Sequence, residues 1–265
     1  MSELEKEKYL GNTKNIFNNM QGIAVVETEY HKKVYEGWHS HINAHITLFL
    51  KGGTAEKRKN SNTAVGPGSL LFYHSGELHL NQDTLFPSKN INIEIEETLL
   101  KELQISEAII EKSVQNTTLS KFLILKIFKE SILADAFSGD TINMLFAQLS
   151  NANTHLERYE KSPFWVKSLE ELLNDCWNEN PNLQDLAQVL NLNPITISKH
   201  FSKYFGCTLG EYMRRIKINR SLSLIVSNRS NLTEIGFQCG FADQSHFIRT
   251  FKSQTGFLPK QFQKL

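Results

Sequence analysis

The chain has 265 residues, 40% of them hydrophobic, which is enough to bury a core and predicts two domains. Its start, MSELEKEKYLG, lacks an apolar segment, and no apolar run is long enough to span a bilayer, so we expect a cytoplasmic protein that does not engage a membrane. The net charge of +1 conceals an asymmetry: residues 199–265 hold eleven Lys or Arg against three Asp or Glu, and the remainder holds 18 against 25. Only the C-terminal end therefore suits a polyanion.

The N-terminal part is rich in β-strand signals. Its segments IAVVETEY, HITLFL, SLLFYH and INIEI are β-branched and aromatic, and they are separated by Gly, Asn and Ser clusters such as KGGTAEKRKNSNTAVGPGS. Short strands with turn signals between them are typical of a small β-barrel or sandwich. We therefore predict a β-domain over residues 1–98.

Two segments of this domain carry several histidines. They read WHSHINAH (38–45) and GPGSLLFYHSGELHLN (66–81), and they resemble the two sequence motifs of cupins. The resemblance implies a cupin-like barrel for sensing or ligand binding, in which three histidines occupy metal-ligand places and His45 replaces the usual Glu. The candidates for a ligand pocket are Trp38, His39, His41, His45, Glu77 and His79.

The histidines leave two interpretations open. Alternating residues of a strand share a face, so His39, His41 and His45 can all point inward, where imidazoles together with His79 would suit zinc, iron, copper or nickel. Alternatively, these side chains line a polar cavity without a metal.

Helical segments follow the predicted strands. Residues 99–114, 119–137 and 140–158 carry apolar residues at helical intervals, for example Leu119, Leu123 and Ile127. The sequence predicts a helical region over residues 99–160. This helical region either links the two domains and dimerises the protein, or it only packs on the barrel.

A pattern in residues 183–206 recurs in residues 232–256. LQDLAQVLNLNPITISKHFSKYFG and LTEIGFQCGFADQSHFIRTFKSQTG each predict two short helices joined by a tight turn, with one extra turn residue in the second copy. Asn193 and Pro194 are favourable residues for starting a helix, and Gly206 and Gly256 for ending one. Two helix-turn-helix motifs in one domain indicate DNA binding.

The second helix of each copy has one face that can enter a groove of DNA. Ile195 and Lys199 share such a face in the first copy, and Arg249 and Lys252 share one in the second. Arg249 can bond guanine O6 and N7 together, Gln244 can pair with adenine, and Lys199 can contact guanine or a phosphate. The candidate DNA contacts are Ile195, Ser198, Lys199, Ser202, Gln244, Ser245, His246, Arg249 and Lys252.

Residues 164–265 resemble the DNA-binding domain of the AraC/XylS family of bacterial transcription regulators. The segment GFADQSHFIRTFKSQTGFLPKQF (240–262) is similar to that family's signature almost throughout. The resemblance implies an all-α domain over 161–265, with two helix-turn-helix motifs joined by a long helix at 209–226. Gly236 stands where Ala is usual, and Lys217 where Arg is usual. The family's base-reading positions fall on Ile195, Ser198, Lys199, Gln244, Ser245 and Arg249.

The sequence thus predicts an α+β transcription regulator and not an enzyme. A small effector in the barrel would control a reader of double-stranded promoter DNA, with RNA polymerase and a second copy of the chain as further partners. No cofactor is expected, because the resemblance implies a ligand pocket without metal. The alternatives are a metal-dependent cupin enzyme with an appended DNA-binding domain, and a constitutive regulator whose N-terminal half only dimerises.

Overall fold

The protein divides into two compact units, Met1–Asn151 and Ala152–Leu265. The computed structural model describes residues 2–19, 21–115, 117–151, 159 and 161–265. The N-terminal unit contains a curled sheet with helices, and the C-terminal unit is helical, which confirms the predicted α+β class. The helices that follow the sheet belong to the same compact unit as the sheet.

The sheet of the N-terminal unit curls because two long strands pair with several partners. Its strands are β1 (Ser2–Leu4), β2 (Asn12–Asn18), β3 (Ile23–Tyr30), β4 (His39–His41), β5 (Ala44–Arg58), β6 (Ser61–Val65), β7 (Leu70–Tyr73) and β8 (His79–Ile95). The order is β1-β4-β8-β3-β2, and β5 pairs with β6, β7 and β8. At the start of β8, His79 pairs with His39 on one side and with Arg58 on the other, so distant strands meet around one interior.

The Gly-rich segment after residue 50 is not the loop that its composition predicts. Strand β5 continues through Gly52 and Gly53 to Arg58, and β6 folds back on it as a hairpin. The two glycines have φ of 76° and 154°, and the pairing register with β8 shifts at this point. Glycine therefore allows the strand to bulge and bend without ending.

The helices of the N-terminal unit are α1 (Glu97–Leu103), α2 (Glu107–Gln115), α3 (Thr117–Leu133) and α4 (Ser138–Asn151). The single helix predicted over 99–114 is wrong: Gln104 adopts a left-handed conformation that ends α1. The next predicted helix ends early at Leu133, since Ala134 has φ of 48°. Residues 152–158, which were predicted to be helical, lie outside the described residues.

The C-terminal unit follows the predicted order of helices. They are α5 (Phe164–Asp175), α6 (Leu183–Val189), α7 (Pro194–Phe205), α8 (Leu209–Ser227), α9 (Leu232–Gln238), α10 (Gln244–Thr255) and α11 (Pro259–Phe262). The side chains of Asn193 and Asp243 cap α7 and α10, and both helices end at a left-handed glycine, Gly206 and Gly256. Helix α8 packs against α7 on the one hand and against α9 and α10 on the other.

Three cysteines lie in the C-terminal unit; their spacing fits neither a zinc site nor a redox motif, so buried thiols are predicted. Cys207 and Cys239 are buried, Cys176 is half-buried, and all three are free. Burial raises the pKa of each thiol, that of Cys239 to about 11.

Within the described ranges, no helix has both the length and the apolar character needed to cross a membrane.

Candidate functional site

The turns of the two helix-turn-helix motifs, α6–α7 and α9–α10, begin with the same backbone geometry, and the second turn has the one extra residue that the sequence predicts. In the first, the amide of Leu192 donates to the carbonyl of Ala187 (2.8 Å), and in the second Phe241 donates to Gly236 (3.0 Å). The residue before each of these donors is left-handed, Asn191 with φ of 51° and Gly240 with φ of 71°. The repeat in the sequence therefore encodes a repeat in backbone geometry.

The exposed face of α7 carries the first set of predicted DNA contacts. Ile197 and Phe201 are buried in a core with Leu169 and Met213, so the opposite side of the helix faces outward. Ile195 is 71% exposed on this side of the helix. The other exposed candidates on this helix are Ser198, Lys199 and Ser202.

The exposed face of helix α10 carries the second set of predicted DNA contacts. Phe247 and Phe251 are fully buried, and the exposed candidates are Gln244, Ser245, Arg249 and Lys252. His246 differs from them, because its ring packs edge-on against Phe241 at 5.2 Å and is half-buried. The structure thus brings the candidates to exposed faces of the two second helices, with His246 the least accessible.

Sequence reasoning missed a polar bridge between the segment before the first motif and the turn of the second. Lys217 of α8 is only 3% exposed, and its ammonium donates to Asn180 Oδ1 (2.8 Å) and to the carbonyl of Gly240 (2.9 Å). Burial lowers the pKa of Lys217. The available signal was a lysine between Ile216 and Ile218, a place where a charged residue needs buried partners.

The curled sheet encloses a cavity of about 40 Å³, which is room for about three water molecules. One part of its wall is formed by imidazole and phenol groups, and the rest by hydroxyl, amide and apolar groups. The lining residues include Tyr9, His39, His41, His45, Thr47, Thr54, Tyr73, His79, Asn90 and Asn92.

Two predicted pocket residues, Trp38 and Glu77, are outside this lining. The carboxylate of Glu77 accepts hydrogen bonds from Arg58 Nη1 (3.1 Å) and from the backbone amide of His74 (3.1 Å). Glu77 precedes the first residue of β8, so it lies in the turn and not on the strand that faces the cavity.

The histidines converge as the alternation in the sequence predicts. His39, His41 and His79 each offer a ring nitrogen within 4.8 Å of the others. Nδ1 of His39 donates to the carbonyl of Gly37 (3.0 Å), and Nδ1 of His79 to that of Glu77 (3.0 Å). A carbonyl can only accept, so these bonds fix the tautomer and leave Nε2 of both rings with a free lone pair when the rings are neutral.

Burial keeps these imidazoles neutral. It lowers the pKa of His39, that of His41 to about 4 and that of His79 to about 3, and the neighbouring histidines add to the effect on His41 and His79. His45 also has a strongly lowered pKa for the same reasons, and its Nδ1 is buried without a hydrogen-bond partner among the described residues. A neutral imidazole whose Nδ1–H is held by a hydrogen bond is the form in which histidine binds a metal ion. The donor set therefore fits a transition metal.

The fold of the C-terminal unit and the exposed faces of α7 and α10 are those of a helix-turn-helix domain. Residues 186–265 match a family model described as a helix-turn-helix domain.

Comparison with known proteins gives two similar activators. The chain is 26% identical over 101 residues to the bifunctional transcriptional activator/DNA repair enzyme AdaA of Bacillus subtilis, which covers 38% of this chain and 48% of that protein. It is 26% identical over 145 residues to the transcriptional activator RhaS of Escherichia fergusonii, covering 54% and 52%. The chain thus spans about half the length of the curated relatives it matches.

Among solved structures, a crystal structure of ToxT from Vibrio cholerae covers 92% of this chain and 98% of its own, with 14% identity and a TM-score of 0.37.

Proposed function

We propose that this protein is a cytoplasmic transcription regulator that reads promoter DNA with α7 and α10 and is controlled by an effector in its N-terminal cavity. The observation that carries the proposal is the pair of motifs whose turns begin with the same backbone geometry, each with an exposed face on its second helix. The matched helix-turn-helix domain and the activators among its relatives support it. RNA polymerase and a second copy of the chain are its proposed protein partners.

Each recognition helix has a different contact chemistry. Arg249 and Gln244 of α10 offer hydrogen bonds to guanine and adenine edges, whereas Ile195 of α7 offers only apolar contact, such as with a thymine methyl group. Lys199 and Lys252 provide positive charge for a guanine or a phosphate. The two helices therefore read two unlike blocks, and the operator should be asymmetric.

Replacing Arg249 by Ala should weaken binding to the selected operator by about 1–3 kcal/mol and relax the preference at a single base pair. The guanidinium is exposed on α10, so its loss removes a base contact without disturbing the core. The operator is first obtained by selection from a random duplex library at near-physiological salt. Affinity is then measured for that duplex and for all single-base variants.

Lys252→Ala is the matched control on the same helix. We expect it to weaken all duplexes alike and to reduce the salt slope by about one unit, as the loss of a phosphate contact does. Equal weakening of every duplex by Arg249→Ala would remove Arg249 from the base-reading set.

An effector would act only through differential affinity, by binding one arrangement of the protein better than another. A cavity of about 40 Å³ fits an ion or a very small molecule. In the constitutive alternative, no small molecule should alter DNA binding by the intact protein.

The three-histidine cluster favours a divalent transition-metal ion as the occupant. His39, His41 and His79 would hold the ion, and His45 is close enough to His41, at 4.4 Å between ring centroids, to contribute to the same site. A bound ion would supply a fixed positive charge to a cavity that is otherwise lined by neutral groups. One alternative is an enzyme, in which the same site would also have to turn over a substrate. The other is a polar cavity without a metal.

Titration of the full-length protein with Co²⁺ should give one saturable site with a visible absorption spectrum. We expect His41→Ala to weaken binding by more than about tenfold, because a lost ligand costs at least as much as a lost supporting group. The control is His31→Ala, whose imidazole is 59% exposed and lies outside the cavity lining. An unsaturable titration, or an equal effect of His31→Ala, would exclude the site.

A further inference from the structure

The buried ammonium of Lys217 lies between the segment that precedes the first helix-turn-helix motif and the turn of the second. Lys217 is in the middle of α8, the helix that packs against α7 of the first motif and against α9 and α10 of the second. A charged group with 3% exposure needs compensating partners, since an unpaired buried charge is very costly. The groups that bind the ammonium therefore show which parts of the domain Lys217 holds together.

Those partners belong to different parts of the domain. Asn180, whose side-chain oxygen accepts at 2.8 Å, precedes α6 and so belongs to the approach to the first motif. The carbonyl of Gly240, which accepts at 2.9 Å, is in the turn of the second motif. The ammonium also lies 5.9 Å from the centre of the Phe241 ring, in the same turn. One side chain thus joins the first motif's approach to the second motif's turn.

The backbone is in direct contact at the same place. A Cβ added to Gly240 would lie 1.9 Å from the carbonyl oxygen of Asn178, so the turn of the second motif presses on the segment that leads to the first. Nearby, the guanidinium of Arg220 lies 5.8 Å from the ring centre of Trp177. The contact between residues 177–180 and the turn of the second motif is therefore close-packed, with Lys217 as its buried charge.

We propose that Lys217 is a positioning residue that determines which spacing between the two base blocks the domain accepts. The inference rests on the proposed function, because it assumes that α7 and α10 read the same duplex. If α7 and α10 shifted relative to one another, the ammonium would lose at least one of its two acceptors in a buried place. One arrangement of the recognition helices is thereby favoured, which is a role that buried polar groups can have.

The test uses duplexes in which the selected operator has one base pair inserted or deleted between its blocks. Each step rotates one block by about 34° relative to the other, given about 10.5 base pairs per turn. For the unaltered protein we expect a loss of about tenfold or more, since simultaneous engagement of both blocks is disrupted. For Lys217→Met we expect weaker binding to the original operator and a penalty for altered spacing of less than about threefold.

Three further variants separate positioning from folding. Lys217→Arg keeps a buried cation with several donors and should retain spacing discrimination, whereas Asn180→Ala removes one acceptor and should relax it in part. Lys167→Met, on the exposed side of α5, should change nothing. Thermal unfolding of each variant shows which are folded, and Asn180→Ala provides the test if Lys217→Met does not fold.

Affinity for duplexes that keep only one intact block completes the test. A positioning role leaves these single-block affinities unchanged in Lys217→Met, because each recognition helix is intact. If Lys217→Met lowers the affinity for all spacings and single blocks by one common factor, Lys217 only stabilises the fold and the inference is overturned. If the unaltered protein selects no operator at all, the proposed function itself fails. This outcome is distinct from a uniform loss of affinity in Lys217→Met, which overturns only the inference about Lys217.

Discussion

Replacing Phe251 by Ala should destabilise the second helix-turn-helix motif by about 3–5 kcal/mol, the usual cost of removing a buried aromatic side chain. Phe251 is fully buried, and its ring packs against Phe247 at 5.8 Å and Phe262 at 5.6 Å between centroids. These rings join α10 to the C-terminal helix α11. Thermal and denaturant unfolding of the full-length protein would measure the change, and operator binding should fall with it.

Ser253→Ala is the control for this substitution, since Ser253 is an exposed residue two positions further along α10. It should leave the unfolding transition within about 0.5 kcal/mol of the original. An unchanged transition in Phe251→Ala would contradict the assignment of this face of α10 to the core.

Gly240→Ala should be comparably disruptive, at about 2–6 kcal/mol. Part of this loss of stability comes from the left-handed backbone at residue 240, where φ is 71°. A residue with a side chain adopts this conformation at a free-energy cost of about 1–3 kcal/mol. The rest is the close approach of the new Cβ to the Asn178 carbonyl, at 1.9 Å, which forces the backbone apart at a similar cost. The free energy of unfolding of the full-length variant is the quantity to measure.

Gly210→Ala is the matched control for this substitution. Gly210 lies in the first turn of α8, where a Cβ would meet only the end of the Arg214 side chain at 3.4 Å. Alanine there should be neutral or stabilising by up to about 1 kcal/mol, through helix propensity. If both substitutions had the same small effect, the tight contact at Gly240 would not exist in solution.

The C-terminal unit was largely predictable because its signals are local. Asn193 caps α7 and Gly206 ends it, and these residue types carry that information within a few positions of the chain. The long helix predicted over 209–226 is α8, with one more residue at its end. The role of Lys217 was not predictable, since its two acceptors are 37 and 23 residues away.

The N-terminal unit was less predictable because its pairing is non-local. KGGTAEKR reads as a loop, yet it is held in a strand by pairing with β8, which begins 21 residues after Arg58. The convergence of His39 and His79 likewise depends on the pairing of β4 with β8. Their alternation and residue type could be recognised in the sequence, whereas Trp38 and Glu77 were assigned to a cavity that they do not line.

The three free thiols of the C-terminal unit have a consequence for its chemistry under oxidative stress. The thiolate is the form that reacts with peroxides, disulfides and alkylating reagents, and burial raises the pKa of all three cysteines. At neutral pH Cys239, with a pKa of about 11, is almost entirely protonated. We therefore expect Cys207 and Cys239, which are buried, to react slowly with alkylating reagents and peroxides in the folded protein.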